Sequence, residues 1–244
     1  MRQLLSEISK ASLNLVYPIY CEGCNAKLAY NNKSYLCHEC MTKIKENSPP
    51  FCVRCGRCLS GDKDIKTICP DCVKKTYSFD AAWQCCTYDG LIKDLIHNFK
   101  YSRKLFLKNI LSDILYDFLT KHINYMGLDL ILAVPMHRIC ANKRGFNQSL
   151  LLSKELSRRL GLPYSSNCLV KTKNTRKQIA LNKRMRLNNI KGAFSVKKNT
   201  DLSSKNILLI DDVFTTGATA NECSLVLKKS DAKSVSVLAL ARGA

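Results

Sequence analysis

A chain of 244 residues can hold one good-sized domain with a small module beside it. Its 39 lysines and arginines against 19 acids leave a net charge of +20, which favours a polyanionic partner: nucleic acid, a phosphorylated metabolite or an anionic membrane. No segment approaches the roughly 18 apolar residues that span a bilayer, and the N-terminal stretch containing Glu7 and Lys10 lacks the apolar core of a signal peptide, so a cytoplasmic protein with no membrane span is expected.

Thiols stay reduced in that compartment, so the fourteen cysteines point to metal rather than to disulfides. Nine of them lie between residues 21 and 72, and eight of these form the pairs Cys21-x2-Cys24, Cys37-x2-Cys40, Cys52-x2-Cys55 and Cys69-x2-Cys72. Twelve residues separate Cys24 from Cys37 and thirteen separate Cys55 from Cys69, so the unit repeats at near-equal spacing, a strong zinc signature. Each C-x2-C turn aims two thiolates at one tetrahedral ion, and the residue after the second cysteine often needs positive φ, which Asn25 and Gly56 tolerate. Gly56 favours Cys52-x2-Cys55 over the alternative Cys55-x2-Cys58, leaving Cys58 as a spare thiol, and His38 reads as a solvated neighbour rather than a ligand. Sequential pairing puts Cys21, Cys24, Cys37 and Cys40 on one zinc and Cys52, Cys55, Cys69 and Cys72 on the other; spacing leaves an interleaved pairing open. Four-cysteine sites keep no position for a catalytic water. They suit a docking module, or they replace the core that some 50 residues cannot build.

Ser48-Pro49-Pro50 separates the two zinc units, and the module fades near Lys74-Lys75-Thr76. We therefore divide the chain into residues 1–76, an N-terminal helix plus double zinc ribbon, and residues 77–244. Phe79 to Tyr88 reads as the first strand of the second part, with Cys85 and Cys86 as ordinary core or edge residues. Leu91, Leu95 and Phe99 recur at helical spacing, as do Ile110, Leu111, Ile114, Leu115 and Phe118. Leu128 to Val134 is an apolar run, Phe146 to Leu160 is helical, Ile207 to Ile210 reads as a buried strand, residues 216–229 as a helix, and Val235 to Leu240 is apolar again. Such alternation predicts a parallel α/β sheet with helices on both faces, whose ligands bind at the carboxyl ends of the strands.

Three segments fall where such a site needs them. The run Ile207 to Ile210 leads into Asp211-Asp212 and then the turn Thr215-Thr216-Gly217-Ala218-Thr219. The turn's N–H groups, threonine hydroxyls and following helix favour a phosphate, and the two carboxylates can accept hydrogen bonds from vicinal ribose hydroxyls. The strand Leu130 to Val134 runs into Pro135-Met136-His137, after which Lys143-Arg144-Gly145-Phe146-Asn147-Gln148 is expected to open a helix, with Arg144 and nearby amides offered to a pyrophosphate. Residues 171–198 carry ten basic residues and no acid, among them Lys171, Lys173, Arg176, Lys177, Lys183, Arg184 and Arg186. That segment reads as a lid over a phosphorylated ligand, a track for a nucleic-acid backbone, or a solvated linker.

Taken together, the four C-x2-C pairs, VPMHRICANKRGFNQS, the pattern Gln178…Leu181…Arg186…Asn189…Gly192-Ala193-Phe194, and ILLIDDVFTTGAT resemble the ComF family over nearly the whole chain. ILLIDDVFTTGAT alone resembles the 5-phosphoribosyl-1-pyrophosphate (PRPP) motif of the type I phosphoribosyltransferases. The resemblance implies a double zinc ribbon joined to a phosphoribosyltransferase-like domain, and a role in natural competence, handling transforming single-stranded DNA in the cytoplasm. It implies PRPP or a nucleotide as ligand, with Mg²⁺, on Asp211, Asp212, Thr215 to Thr219 and Pro135 to His137, and Asp211, Asp212 and Arg144 as the residues for any phosphoribosyl transfer. Single-stranded DNA and DNA-uptake or recombination proteins are the implied partners. An active phosphoribosyltransferase on a base or nucleotide, and a protein-docking adaptor of the uptake machinery, are the competing readings.

Overall fold

The computed structural model describes residues 18–29, 32, 34–62, 67–175 and 189–243. The expected N-terminal helix and Arg176, Lys177, Gln178, Lys183, Arg184 and Arg186 lie outside them.

The centre is a five-stranded parallel sheet built from β3 (Ala81–Thr87), β4 (Leu130–Ala133), β5 (Tyr164–Ser165), β8 (Asn206–Phe214) and β9 (Ser234–Arg242), in the order β3-β9-β8-β4-β5. Side-chain alternation divides the core into two layers. Ile131, Leu208, Ile210, Leu238 and Leu240 face one side, where they meet α3 (Gly90–Tyr101), α4 (Lys108–His122) and α6 (Gln148–Leu160). Leu132, Ile207, Leu209, Val235 and Val237 face the other, where α7 (Ala218–Lys228) packs. Strands buried on both faces explain the unbroken apolar runs.

Three short elements differ from the expected pattern. Arg138–Arg144 is a separate helix, α5, rather than a loop; Lys143 and Arg144 close it, Gly145 breaks it, and α6 opens only at Gln148. A small antiparallel pair, β6 (Leu169–Lys171) with β7 (Phe194–Val196), rests above α7, where the Gly192 N–H donates to Glu222 Oε1 at 2.6 Å. And β8 does not stop at Ile210: Asp211 and Asp212 lie within the strand, which runs on to Phe214 beside β9.

In the N-terminal part, β1 (Ile19–Tyr20) pairs with β2 (Lys27–Leu28), and the short helices α1 (His38–Thr42) and α2 (Pro70–Val73) start at the third cysteine of each unit. This part covers the open edge of β3. The Ala82 N–H donates to Arg54 O at 2.8 Å, the Asn47 N–H to Cys85 O at 2.7 Å, and Asn47 Nδ2 to Gln84 O at 2.8 Å. Cys21, Leu28, Leu36 and Cys40 share a hydrophobic cluster with Ile92, Phe99 and Phe118. Covering an edge strand removes a template for aggregation.

Candidate functional site

The thiols gather into two groups, Cys21, Cys24, Cys37 and Cys40 in one and Cys52, Cys55, Cys69 and Cys72 in the other, with the ligand atoms of each within 4.8 Å of one another. The pairing is therefore sequential. The two units repeat in detail: the Cys37 N–H points at Cys21 Sγ at 3.3 Å, and the Cys69 N–H at Cys52 Sγ at 3.3 Å. Asn25 and Gly56 both take positive φ, 62° and 69°.

The electrostatics fit a dication. Burial opposes ionisation of Cys21, but N–H donors from Cys37, Cys24 and Gly23 outweigh it and hold the thiol at about 6; burial of Cys52 is outweighed in the same way, by Cys55, Cys69 and Arg54, at about 7. Burial and the neighbouring thiols push Cys40 up to about 12. Only a cation among them lets all four carry charge. The residues thus form two four-cysteine zinc sites. Cys58 is exposed on the strand-like bridge opposite Phe51, outside both groups. Cys58→Ser is therefore expected to retain two zinc ions per chain by elemental analysis; one ion fewer would make Cys58 a ligand.

At the other end of the sheet, the chain leaves β4 toward β5 on one side and leaves β8 toward β9 on the other. The crevice between the carboxyl ends of β4 and β8 is thus the topological switch point. The β4–β8 pairing ends at Ala133 and Ile210, so Asp211, the next residue of β8, is paired with Ala239 of β9 alone. Asp211 Oδ1 accepts from the Asp212 N–H at 2.8 Å and from Ser149 Oγ at 3.4 Å. Burial and the adjacent Asp212 charge push its carboxyl up to about 7. Asp212 takes Lys100 Nζ at 2.7 Å, with both side chains mostly buried.

The Arg144 guanidinium lies over the Tyr101 ring at 5.0 Å, and Phe146 packs on Phe99 at 5.7 Å. Asn147 Nδ2 donates to Val134 O at 3.2 Å, Gln148 is buried, and Ser149 reaches Asp211. Pro135 and Met136 lead out of β4 to His137, whose Nδ1 accepts the Ile139 N–H at 3.3 Å and caps α5. Beyond β8, Thr215 and Thr216 form the turn into α7, and Gly217 sits at φ 75° where a Cβ would stand 2.7 Å from the Phe214 ring. Only glycine fits there. Ala218 and Thr219 begin α7, with the Ala218 N–H directed to Thr216 Oγ1 at 3.4 Å.

Of the basic segment, Lys171 lies in β6 over the Phe194 ring at 5.6 Å, burial lowers its pKa, and it is within electrostatic reach of Asp211. Lys173 Nζ donates to Lys191 O at 3.2 Å. Sequence reasoning missed Lys100, 112 positions from Asp212, and gave Ser149 no role although it ends the quoted motif. It also missed Arg242, whose Nη1 donates to Cys55 O and to Gln84 Oε1, both at 2.9 Å, while its guanidinium covers Phe214 at 5.4 Å. Arg242 thereby joins the second zinc knuckle to the ring beneath Gly217.

A parallel sheet in this order, an acid pair and a Thr-Thr-Gly turn at its switch point, and two four-cysteine centres define a phosphoribosyltransferase-like domain bearing a double zinc ribbon. Residues 12–73 match the family model described as a double zinc ribbon domain. The chain is 34% identical to competence protein F of Haemophilus influenzae, over 92% of this chain and 96% of that protein, and belongs to the competence protein F (ComF) family. It is 30% identical to the DNA utilization protein YhgH of Escherichia coli K12, over 85% of this chain and 96% of that one. Among solved structures, a purine phosphoribosyltransferase from Pyrococcus horikoshii aligns with 55% of this chain and 73% of its own, at a TM-score of 0.36 and 21% identity. No helix among the described residues is long and apolar enough to cross a membrane.

Proposed function

We propose that this protein acts in competence as a cytoplasmic handler of transforming single-stranded DNA. Residues 77–244 bind PRPP or a nucleotide, and residues 1–76 form the docking module for DNA-uptake or recombination proteins. The observation that carries the reading is the Asp211-Asp212 pair at the switch point, followed at once by the Thr215 to Thr219 turn. The acid pair accepts the 2′ and 3′ ribose hydroxyls, the turn takes the 5′-phosphate, and Pro135 to His137 with Arg144 take the pyrophosphate that Mg²⁺ accompanies. The names of the relatives, competence protein F and DNA utilization protein, support the DNA side of the reading.

Backbone contacts by the basic segment make a quantitative expectation. If Z groups neutralise phosphates of a single strand, log K falls against log[salt] with a slope of about −0.7Z. Replacing Lys173, Arg176 and Lys177 by Gln is expected to flatten that slope by about two units, for all sequences alike. An unchanged slope with weakened PRPP binding would reject the DNA track and leave a lid serving the small ligand. Release of pyrophosphate from PRPP in the presence of a base or nucleotide distinguishes an active phosphoribosyltransferase from an effector-binding protein.

A further inference from the structure

Two stretches of the chain that contain no acid meet at one corner of the surface. Residues 95–112 carry Lys100, Arg103, Lys104 and Lys108, and residues 130–154 carry Arg138, Lys143, Arg144 and Lys154. They join where the Arg144 guanidinium, at the end of α5, lies over the ring of Tyr101, at the end of α3. Lys100 is held by Asp212 and Lys104 by Glu22. Among the described residues no carboxylate forms an ion pair with Arg103, Lys143 or Arg144. Arg103 and Lys143 are exposed, so the corner offers uncompensated positive charge to the solvent and complements a polyanion.

An aromatic ring stands among these charges. Tyr101 is 48% exposed, yet its ring is braced by Arg144 at 5.0 Å and by His97 at 4.8 Å. A ring already held by its neighbours gives up little freedom when another flat ring stacks on it. Arg103 is a second mark. It sits at φ 53°, in the left-handed region that glycine takes freely and a larger residue takes at a cost. Its carbonyl accepts the Leu105 N–H at 2.8 Å, which fixes the turn. An exposed arginine at that position keeps a cation next to Tyr101 where glycine would relieve the backbone. Helix α5, which brings Lys143 and Arg144, buries no residue of its own, so filling the core does not account for it. Cations around an exposed ring suit an unpaired strand, whose bases can leave their stack; the base faces of a duplex are covered by their neighbours. We propose that the corner of Tyr101, Arg103 and Lys143 binds single-stranded DNA, with a base stacked on Tyr101 and the flanking phosphates on Arg103 and Lys143. The inference rests on the reading that the protein handles single strands, and it adds a contact separate from residues 171–198.

The test is fluorescence anisotropy on the full-length, zinc-loaded protein with three labelled probes: a decathymidylate, an abasic strand of the same length, and the decathymidylate annealed to its complement. Tighter binding of the thymidylate than of the other two is expected. Tyr101→Ala is expected to lose roughly tenfold in thymidylate affinity and nothing on the abasic strand, while Tyr101→Phe keeps the preference. Arg103→Gly removes the charge and suits the positive φ, so it serves if Tyr101→Ala fails to fold. It and Lys143→Gln are each expected to flatten the slope of log K against log[salt] by about 0.7, on both single strands alike. Equal weakening of thymidylate and abasic strand by Tyr101→Ala, or a duplex bound as tightly as the single strand, would overturn the stacking contact and with it the proposal. Wild-type thymidylate binding that none of the variants changes would reject this corner and leave the single-strand reading in place. If the wild type binds no strand, both readings fall.

Discussion

Chelating both zinc ions is expected to red-shift the emission of Trp83, drive the protein into aggregates and abolish PRPP binding, all with one midpoint. Trp83 is the single tryptophan and lies in β3, the strand whose free edge the zinc module covers. A structural zinc site contributes an apparent ~10–16 kcal/mol in small zinc-finger peptides, as much as the whole stability of a typical domain at about 5–15 kcal/mol. Without the metal, the Cys52–Cys55 turn has no reason to hold Arg54 O against the Ala82 N–H or Cys55 O against Arg242. The edge of β3 is then exposed to pairing with other chains. Arg242 also loses the carbonyl that fixes it over Phe214, the ring that supports the Gly217 turn.

A milder lesion at the same contact is Gly56→Ala. Its Cβ would meet Ala82 O directly and stand 2.8 Å from Trp83 Cα, at a positive φ that costs a non-glycine residue about 1–2 kcal/mol besides. This variant is expected to lose zinc from the second site at lower chelator concentration than the wild type. Chelated protein that kept both its Trp83 emission and its PRPP affinity would sink the idea that the ribbon buttresses the sheet.

Replacing Asp211 and Asp212 together by Asn is expected to weaken Mg²⁺–PRPP binding by about 1.5–3 kcal/mol for each charge-assisted bond lost. Asp212 also partners Lys100, so its loss leaves a mostly buried cation unpaired. The triple variant that adds Lys100→Met removes that cation and keeps the binding result separate from unfolding, with thermal melting as the check. Asp211 brings a pH signature. Its carboxyl is pushed up to about 7, so below that pH it is protonated and no longer offers two acceptor oxygens. A ligand that needs the carboxylate must displace the proton. Affinity should therefore rise about tenfold per pH unit on approaching 7 from below and level off above it. Asp211→Asn should be weak and flat across the same range. Unchanged affinity in the double variant would place the ribose elsewhere, and a flat wild-type profile would remove Asp211 from the contact.

What could be read from the sequence had short-range causes. A zinc knuckle is made within four residues, so the C-x2-C pairs and the positive-φ residues after them, Asn25 and Gly56, are local signals. The passage from β8 through Thr215-Thr216-Gly217 into α7 is equally local, as are the helical repeats of α3 and α4. Helix α5 was not legible because it buries no residue, so its sequence RICANKR carries no apolar period. The strands β5, β6 and β7 span two or three residues, too few for alternation to register. Two acids inside β8 looked like the end of a strand; they are tolerated because Asp211 accepts from the Asp212 N–H and from Ser149, and Asp212 is paired with Lys100. Tertiary structure alone decided which cysteines share an ion, because sequential and interleaved pairings have the same spacing. It alone brought Lys100 to Asp212 and Arg242 to Cys55, contacts 112 and 187 positions apart, because a salt bridge or a hydrogen bond between distant segments leaves no periodicity along the chain.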